Sequence, residues 1–110
     1  MIFKICPRSA WREAEQQGRF VGAGIDLRDG YIHFSTADQM RETAALHFAG
    51  HGDLVLVAAD EAALGDALKW EPARSGALFP HLHGTLTLDA VRWVKPLPLG
   101  PDGRHAFPDL

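Results

Sequence analysis

Three polar side chains near the end of a predicted strand, His33, Ser35 and Thr36, are the first candidates for chemistry. The Asp29-Gly30 pair predicts a turn, and the apolar, β-prone residues 31–34 that follow predict a strand. Because side chains alternate along a strand, His33 and Ser35 share the face opposite the apolar side chains. Together with the first backbone amides of a helix that starts at Thr36, these groups predict a site for an anion or a small ligand.

A carboxylate and an arginine, Glu71 and Arg74, form the second group of candidates. Glu71 ends a predicted strand at 68–71, before a loop of small residues, so we expect its carboxylate to reach a cleft. There it could orient a ribose hydroxyl or act as a base, with Arg74 binding the same ligand. The alternative is a surface glutamate that pairs with Arg74 or Lys69.

His81 and His83 are separated by one residue, so on a strand their side chains point to the same face. With His33 or Glu71 such a pair could bind a metal ion, but no cysteine and no helical histidine pair accompanies it. We therefore predict that His81 and His83 bind the ligand, and we predict no metal ligands. For His33 the competing interpretation is a structural histidine that bonds the backbone or faces solvent.

The elements that must position these residues follow from hydrophobic periodicity and capping signals. We predict strands at residues 2–6, 31–34, 53–60, 68–71 and 91–96, the third of them central and covered on both faces. Two main helices are predicted, at residues 10–17 after Ser9 and from a capping box at Thr36 and Gln39 to Gly50. Residues 19–29, which include two glycines, predict a loop or an irregular strand that crosses the surface.

The predicted fold class is α+β, as a single domain over residues 1–110 with a mixed, mostly antiparallel sheet and two main helices. Strands outnumber helices and do not alternate with them regularly, which disfavours a doubly wound parallel sheet. The predicted core consists of Phe3, Ile5, Trp11, Ile32, Phe34, Leu46, Leu54, Leu56, Leu64 and Val91.

The composition argues against several classes of protein. A net charge of -3 over 110 residues is not the basic footprint of a protein that binds long nucleic acids, whereas a small nucleotide needs only a few local donors. The single cysteine, Cys6, has no disulfide partner in the chain, which favours a reducing compartment, and no apolar run approaches the length of a membrane span. We expect a cytoplasmic protein without membrane contact, as a monomer or weak homodimer.

Several strings of residues carry a resemblance to a known family. They are DGYIHFST at 29–36, Gln39, DLVL at 53–56, KWE at 69–71 and FPHLHG at 79–84. In this order they resemble the small bacterial family catalogued as domain of unknown function 952, and the resemblance covers nearly the whole chain. The activity of that family is not established.

The resemblance implies a fold similar to the ADP-ribosyltransferase group, in which a strand histidine and a later glutamate flank NAD. By that analogy His33 hydrogen-bonds the adenosine ribose, Ser35 or Thr36 lies on the side of the nicotinamide ribose, and Glu71 stabilises the developing oxocarbenium charge. NAD is then a substrate, and no resident cofactor is implied.

Three functions stay open at the level of sequence. The first is an enzyme, or a degenerate enzyme, that acts on NAD or a related nucleotide in one polar pocket of histidine and glutamate. The second is a noncatalytic module that binds a small ligand in the same pocket, and the third is a metal-bound structural protein. The first two require the segments around His33, Glu71 and His81 to converge on one hollow.

Overall fold

The computed structural model describes residues 1–110. The strands are β1 (Ile2–Pro7), β2 (Arg19–Phe20), β3 (Ile32–His33), β4 (Leu54–Ala59), β5 (Leu68–Pro72), β6 (Leu78–Leu82), β7 (Leu86–Thr87) and β8 (Val91–Leu97). The helices are α1 (Arg8–Gln17), α2 (Ile25–Asp29) and α3 (Met40–His47), with 3-10 turns at Glu61–Ala67, Arg74–Gly76 and Leu88–Ala90. None of the helices is long and apolar enough to cross a bilayer.

Strand β4 is the middle of an antiparallel sheet with the order β1-β4-β8. All of its side chains, from Leu54 to Ala59, are buried. Val55, Val57 and Ala59 join one hydrophobic cluster, and the alternate residues join a second cluster on the opposite face. The prediction of a central strand covered on both faces is therefore confirmed, and β4 is the layer on which the core is built.

A second sheet, with the order β3-β6-β5, is joined to the first through residues 32–35. Ile32 and His33 pair with β6, and two residues later Ser35 exchanges two backbone hydrogen bonds of 2.8 Å with Phe3 of β1. The same short segment thus belongs to both sheets. Away from it the sheets diverge and leave a cleft between them.

Pro80 accounts for the point at which the two sheets separate. It lies in β6, the middle strand of its sheet, where proline is normally excluded because it has no N–H to donate. The Phe34 N–H donates to the Pro80 carbonyl at 3.0 Å, but the return bond cannot form. The pairing of β3 with β6 therefore ends at His33, and Ser35 pairs with β1 instead.

The predicted α+β fold class is confirmed, since the chain combines helices with three sheets whose strand pairs are all antiparallel. The first main helix begins earlier than predicted. Pro7, with an extended backbone, stands before the first turn, so α1 starts at Arg8 and Ser9 lies inside it. Gly18, at φ 81°, ends α1 as predicted.

The predicted capping box at the start of the second main helix is half formed. Gln39 Oε1 accepts a hydrogen bond from the Thr36 N–H at 3.1 Å, but the helix itself begins only at Met40. Gln39 Nε2 donates to the Leu78 carbonyl at 2.8 Å, which ties this turn to β6. The Thr36 amide therefore already has a partner, while the predicted anion site at this helix start stays a prediction.

The prediction of a loop or irregular strand at residues 19–29 holds for the short strand and the residues after it, but it missed α2 and the buried Asp26. Arg19–Phe20 pairs with β7, and α2 follows with Asp26 only 2% exposed. Gly22 adopts a φ of +114°, and a Cβ at that position would lie 2.8 Å from the Asp26 Cβ. Gly22 therefore marks a close approach of backbone to a buried aspartate, and α2 is held by the Asp26 carboxylate rather than by helix propensity.

Most of the predicted core is buried, namely Phe3, Ile5, Trp11, Ile32, Phe34, Leu54 and Leu56. Leu64 and Val91 are partly buried against the first cluster. Leu46 is the error, with 57% of its surface exposed. In α3 the buried side chains are Met40 and Ala44, and Leu46 projects from another side of the helix because residues two apart do not share a face.

The buried and exposed leucines provide a matched test of this core. Leu56, which is 0% exposed in β4, should lose about 3 kcal/mol of unfolding free energy as Leu56→Ala, from lost burial and the cavity left behind. Leu46→Ala should lose less than about 1 kcal/mol. Urea unfolding followed by circular dichroism measures both, and similar losses in the two variants would contradict the core described here.

Candidate functional site

The cleft between the two sheets has a volume of about 880 Å³, within the range of small-molecule sites. Its apolar walls include Phe3, Ile5, Phe34, Phe48 and Phe79. Polar side chains also line it, among them Lys4, His33, Ser35, Thr43, Arg74 and His81. An apolar cavity with a few convergent polar groups is the usual form of a ligand site.

The free edge of β1 adds backbone groups to this cleft. One edge of β1 pairs with β4, and on the other edge only Phe3 is paired, through Ser35. Backbone N–H and C=O groups two residues apart point to the same edge of an antiparallel strand. The N–H and C=O of Ile5, which lines the cleft, therefore face away from β4 and toward the cavity.

A buried ion pair between Lys4 and Asp26 joins β1 to α2. Lys4 Nζ lies 2.7 Å from Asp26 Oδ2 and 3.0 Å from Oδ1, and the two side chains are 7% and 0% exposed. Asp26 also accepts hydrogen bonds of 3.0 Å from the backbone N–H groups of Ala23 and His33. Its carboxylate is thus surrounded by donors, which is the condition for keeping a charge buried.

The donors around Asp26 decide its ionisation. Burial by itself raises the pKa of Asp26, but the hydrogen bond from His33 and the charge and hydrogen bond of Lys4 outweigh burial and lower the pKa from 3.8 to about 2. Asp26 is therefore ionised at neutral pH, although it is among the most buried residues of the chain.

His33 is held between two carboxylates. Its Nδ1 lies 2.6 Å from Asp26 Oδ1 and its Nε2 lies 3.0 Å from Asp29 Oδ2. A carboxylate only accepts hydrogen bonds, so both contacts are satisfied together only by the doubly protonated imidazolium. His33 has no nitrogen left over for a ligand unless one of these partners is displaced.

Glu71 is bonded by His81 and His83. Its Oε1 lies 2.9 Å from His81 Nδ1 and 2.7 Å from His83 Nε2. The hydrogen bonds from His83 and His81 lower the pKa of Glu71, so it is ionised at neutral pH and both ring nitrogens donate to it. His81 is 4% exposed and lines the cleft, whereas His83 is not among the lining residues.

Tyr31 packs against the rings of His33, His81 and His83. Its ring centroid lies 4.4 Å from that of His81 in a stacked arrangement, and 4.6 Å and 4.9 Å from those of His33 and His83. The His33 and His81 centroids are 5.3 Å apart. Tyr31 and the three histidines, called the histidine cluster below, therefore form one packed group.

Arg74 is the centre of a second polar group in the cleft. Its guanidinium lies over the Phe79 ring at 4.8 Å, and Nη2 donates to Thr43 Oγ1 at 3.3 Å. The hydroxyls of Thr43 and Ser35 are 3.1 Å apart. Arg74 also pairs with Glu42 at 3.1 Å, a contact with an exposed carboxylate that contributes little to stability.

The chain matches the model of DUF952, a protein family of unknown function, over residues 5–94. It belongs to the DUF952 family. The resemblance noted in the sequence is thereby confirmed. Among curated proteins, none matches the chain significantly.

A protein of known structure is similar to this DUF952 chain along nearly its whole length. The crystal structure of protein CC0527 from Caulobacter crescentus is 46% identical, with a TM-score of 0.91 over 96% of this chain and 92% of that chain. The solution NMR structure of CC0527 aligns with a TM-score of 0.84 at 47% identity, over 94% and 89% of the two chains.

The sequence-predicted site residues of this DUF952 chain are divided by the structure. His33, Ser35, Arg74 and His81 line the cleft. Glu71 and His83 lie outside the lining but are bonded to each other, with His81 sharing the same carboxylate oxygen. Thr36 is not part of the cleft. The convergence of His33, Glu71 and His81 is therefore found, while their catalytic and binding roles stay predictions.

Sequence reasoning missed Lys4 and its buried partner Asp26, which lies outside the cleft lining, and two further cleft residues, Tyr31 and Thr43. Lys4 carries the signal that could have found the first two. In β1 it shares a face with Ile2 and Cys6, which both belong to the first hydrophobic cluster. A lysine in the middle of an apolar strand face requires a buried carboxylate, although the sequence does not say which one.

Two other sequence expectations can be compared with the structure. Cys6, which was predicted to have no disulfide partner, is buried, and burial raises the pKa of its thiol to about 12, which is the behaviour of an inert structural cysteine. No group of three or more His, Cys, Asp or Glu side chains is arranged to hold a metal ion. The alternative of a metal-bound structural protein therefore has no ligand set in this fold.

The buried ion pair can be tested with Asp26→Asn. The substitution keeps the shape of the side chain but leaves Lys4 buried without a counter-charge, so unfolding free energy at pH 7 should fall by about 3 kcal/mol. Asp53→Asn, in an exposed pair with Arg8, is the matched control and should cost less than about 1 kcal/mol.

The pH dependence of the unfolding free energy tests whether the ionised Asp26 carboxylate is the cause of this loss. Because the folded pKa of Asp26, about 2, lies below its ordinary value of 3.8, this contribution is present above pH 3.8 and is lost as pH falls toward 2. It amounts to about 2 kcal/mol. Urea titrations across this window should show a steeper loss in the wild type than in Asp26→Asn, and parallel curves would contradict the assignment.

Proposed function

We propose that the cleft binds NAD or a related nucleotide and that the histidine cluster acts on the bond between the ribose and its base. The observation that carries the proposal is one apolar cleft that holds an arginine, two hydroxyls and a histidine ring bonded to an ionised glutamate. The ADP-ribosyltransferase-like fold that the family resemblance implies adds to this support.

Arg74 is the group best suited to the phosphates of such a ligand. Its guanidinium is fixed by the Phe79 ring and by Thr43, so little side-chain entropy remains to be lost on binding. Glu42, its present ion-pair partner, is 66% exposed, and a diphosphate can replace that carboxylate at small cost. The Ser35 and Thr43 hydroxyls lie close enough to donate to the same phosphate or to the neighbouring ribose.

The walls of the cleft suit the two bases. Aromatic side chains such as Phe79 and Phe34 offer apolar surface for a purine or a pyridine ring. The unpaired N–H and C=O of Ile5 on the free edge of β1 match the acceptor and donor of a carboxamide, the group that nicotinamide carries.

The histidine cluster supports chemistry at the ribose carbon. When a base leaves, positive charge develops on the sugar, and an ionised carboxylate nearby stabilises that charge. Glu71 provides the negative charge, one imidazole away from the cleft through His81. The proposed reaction is therefore transfer of an ADP-ribosyl group to water or to an acceptor hydroxyl.

Binding can be tested with Arg74→Ala. Loss of charge-assisted hydrogen bonds to phosphate should raise the Kd for NAD and for ADP-ribose by at least about tenfold, measured by isothermal titration calorimetry. Arg92→Ala is the matched control, since Arg92 pairs with Asp60 and is not part of the cleft. No binding of either nucleotide to the wild type would contradict the proposal.

Glu71→Gln separates an enzyme from the alternative of a noncatalytic binding module. The amide keeps the size of the side chain and removes its charge, so kcat for NAD cleavage should fall by about 100-fold while Kd changes less than about twofold. Nicotinamide release, followed by chromatography, gives the rate. A wild type that binds NAD and releases no nicotinamide would favour the binding module.

A further inference from the structure

We propose that His81 accepts the proton from the attacking nucleophile and that Glu71 is the positioning residue that holds its ring in the accepting tautomer. This inference rests on the proposed function, and it changes the role expected of Glu71. The glutamate acts through an imidazole that lines the cleft instead of touching the substrate itself.

The hydrogen bond to Glu71 fixes which nitrogen of His81 carries the proton. An ionised carboxylate only accepts, so the 2.9 Å contact requires a proton on Nδ1. In the neutral ring the other nitrogen, Nε2, is then an unprotonated acceptor, and none of the hydrogen bonds of the chain engages it. A carboxylate that orients an imidazole in this way also stabilises the imidazolium once a proton arrives.

His33, the cleft histidine whose ring packs against that of His81, cannot take this role in its present contacts. Both of its nitrogens face carboxylates, of Asp26 and Asp29, and no acceptor is left. The two rings lie 5.3 Å apart and differ only in how many carboxylates hold them. Of the two, His81 is the one with a free nitrogen.

The surroundings of His81 keep its ring in place. The Tyr31 ring stacks on it at 4.4 Å, and only 4% of the residue is exposed. The titratable or charged groups that face it from its own and neighbouring elements are Glu71 and Lys69 of β5, Tyr31 and His33 at β3, and His83 beyond β6. Among them only Glu71 bonds the ring directly.

In the proposed step one bond to ribose C1′ is broken and another is formed. The bond between ribose C1′ and the nicotinamide nitrogen breaks, and its electron pair neutralises the pyridinium charge. The oxygen of water or of an acceptor hydroxyl forms the new bond to C1′, and its proton passes to His81 Nε2. The imidazolium so formed lies against Glu71 and later returns the proton to solvent.

His81→Asn tests the step with little change to the contact with Glu71. The asparagine amide can donate to Glu71 in place of Nδ1 but has nothing in place of Nε2. We expect kcat for NAD cleavage to fall about 100-fold, Kd to stay within about twofold, and the loss of rate at low pH to disappear from the profile. His105→Asn is the matched control, since the His105 ring bonds the His51 carbonyl and does not line the cleft, and it should keep both the rate and the profile.

The tautomer provides a readout that does not need turnover. Long-range ¹⁵N–¹H NMR spectra of the wild type should show His81 protonated at Nδ1 and free at Nε2, and Glu71→Ala should increase the Nε2-protonated form. A wild-type ring protonated at Nε2 would overturn the inference. So would a His81→Asn enzyme within about threefold of the wild-type rate, or a His105→Asn enzyme equally impaired.

The two proposals fail in different ways. Binding of NAD without turnover by the wild type overturns the proton transfer to His81 and leaves nucleotide binding in place. Absence of NAD and ADP-ribose binding in calorimetry overturns the proposed function and, with it, this step.

Discussion

The contact on which the site depends is the buried pair of Lys4 and Asp26. A lysine on an apolar strand face and an aspartate on a five-residue helix would each be costly alone, and together they fix α2 against β1. The same carboxylate holds the ring and the backbone N–H of His33. One wall of the cleft and one of its histidines are thus positioned by a single buried charge.

His33 and His81 both pack against Tyr31, but they differ in how many carboxylates bond their rings. Asp26 and Asp29 occupy both nitrogens of His33, which makes that ring a fixed part of the scaffold. Glu71 occupies one nitrogen of His81 and leaves the other open. The asymmetry arises from the neighbours of two chemically identical side chains, and it is the reason to place proton transfer at His81.

Much of this arrangement follows from the sequence, and the remainder has identifiable physical causes. The apolar run at 53–60 indicates β4, and the His33, Glu71 and His81 segments are recognisable from residue type and spacing. Asp26 and α2 are not recognisable in this way, because two glycines next to a short polar helix give no local sequence signal. The residues that stabilise Asp26, namely Lys4 and His33, lie outside this segment. The prediction for Leu46 was wrong because an apolar residue two positions after the buried Ala44 lies on another face of the helix.

Pro80 has a consequence for the shape of the molecule that extends beyond its own strand. A residue with a backbone N–H there could complete the exchange with Phe34 and let the chain after His33 continue along β6. Ser35 would then be drawn away from Phe3, and the wall formed by β1 would lose its attachment to the opposite sheet. A missing hydrogen-bond donor in the backbone thus determines where one sheet hands the chain over to the other, and with it where the cleft between them begins.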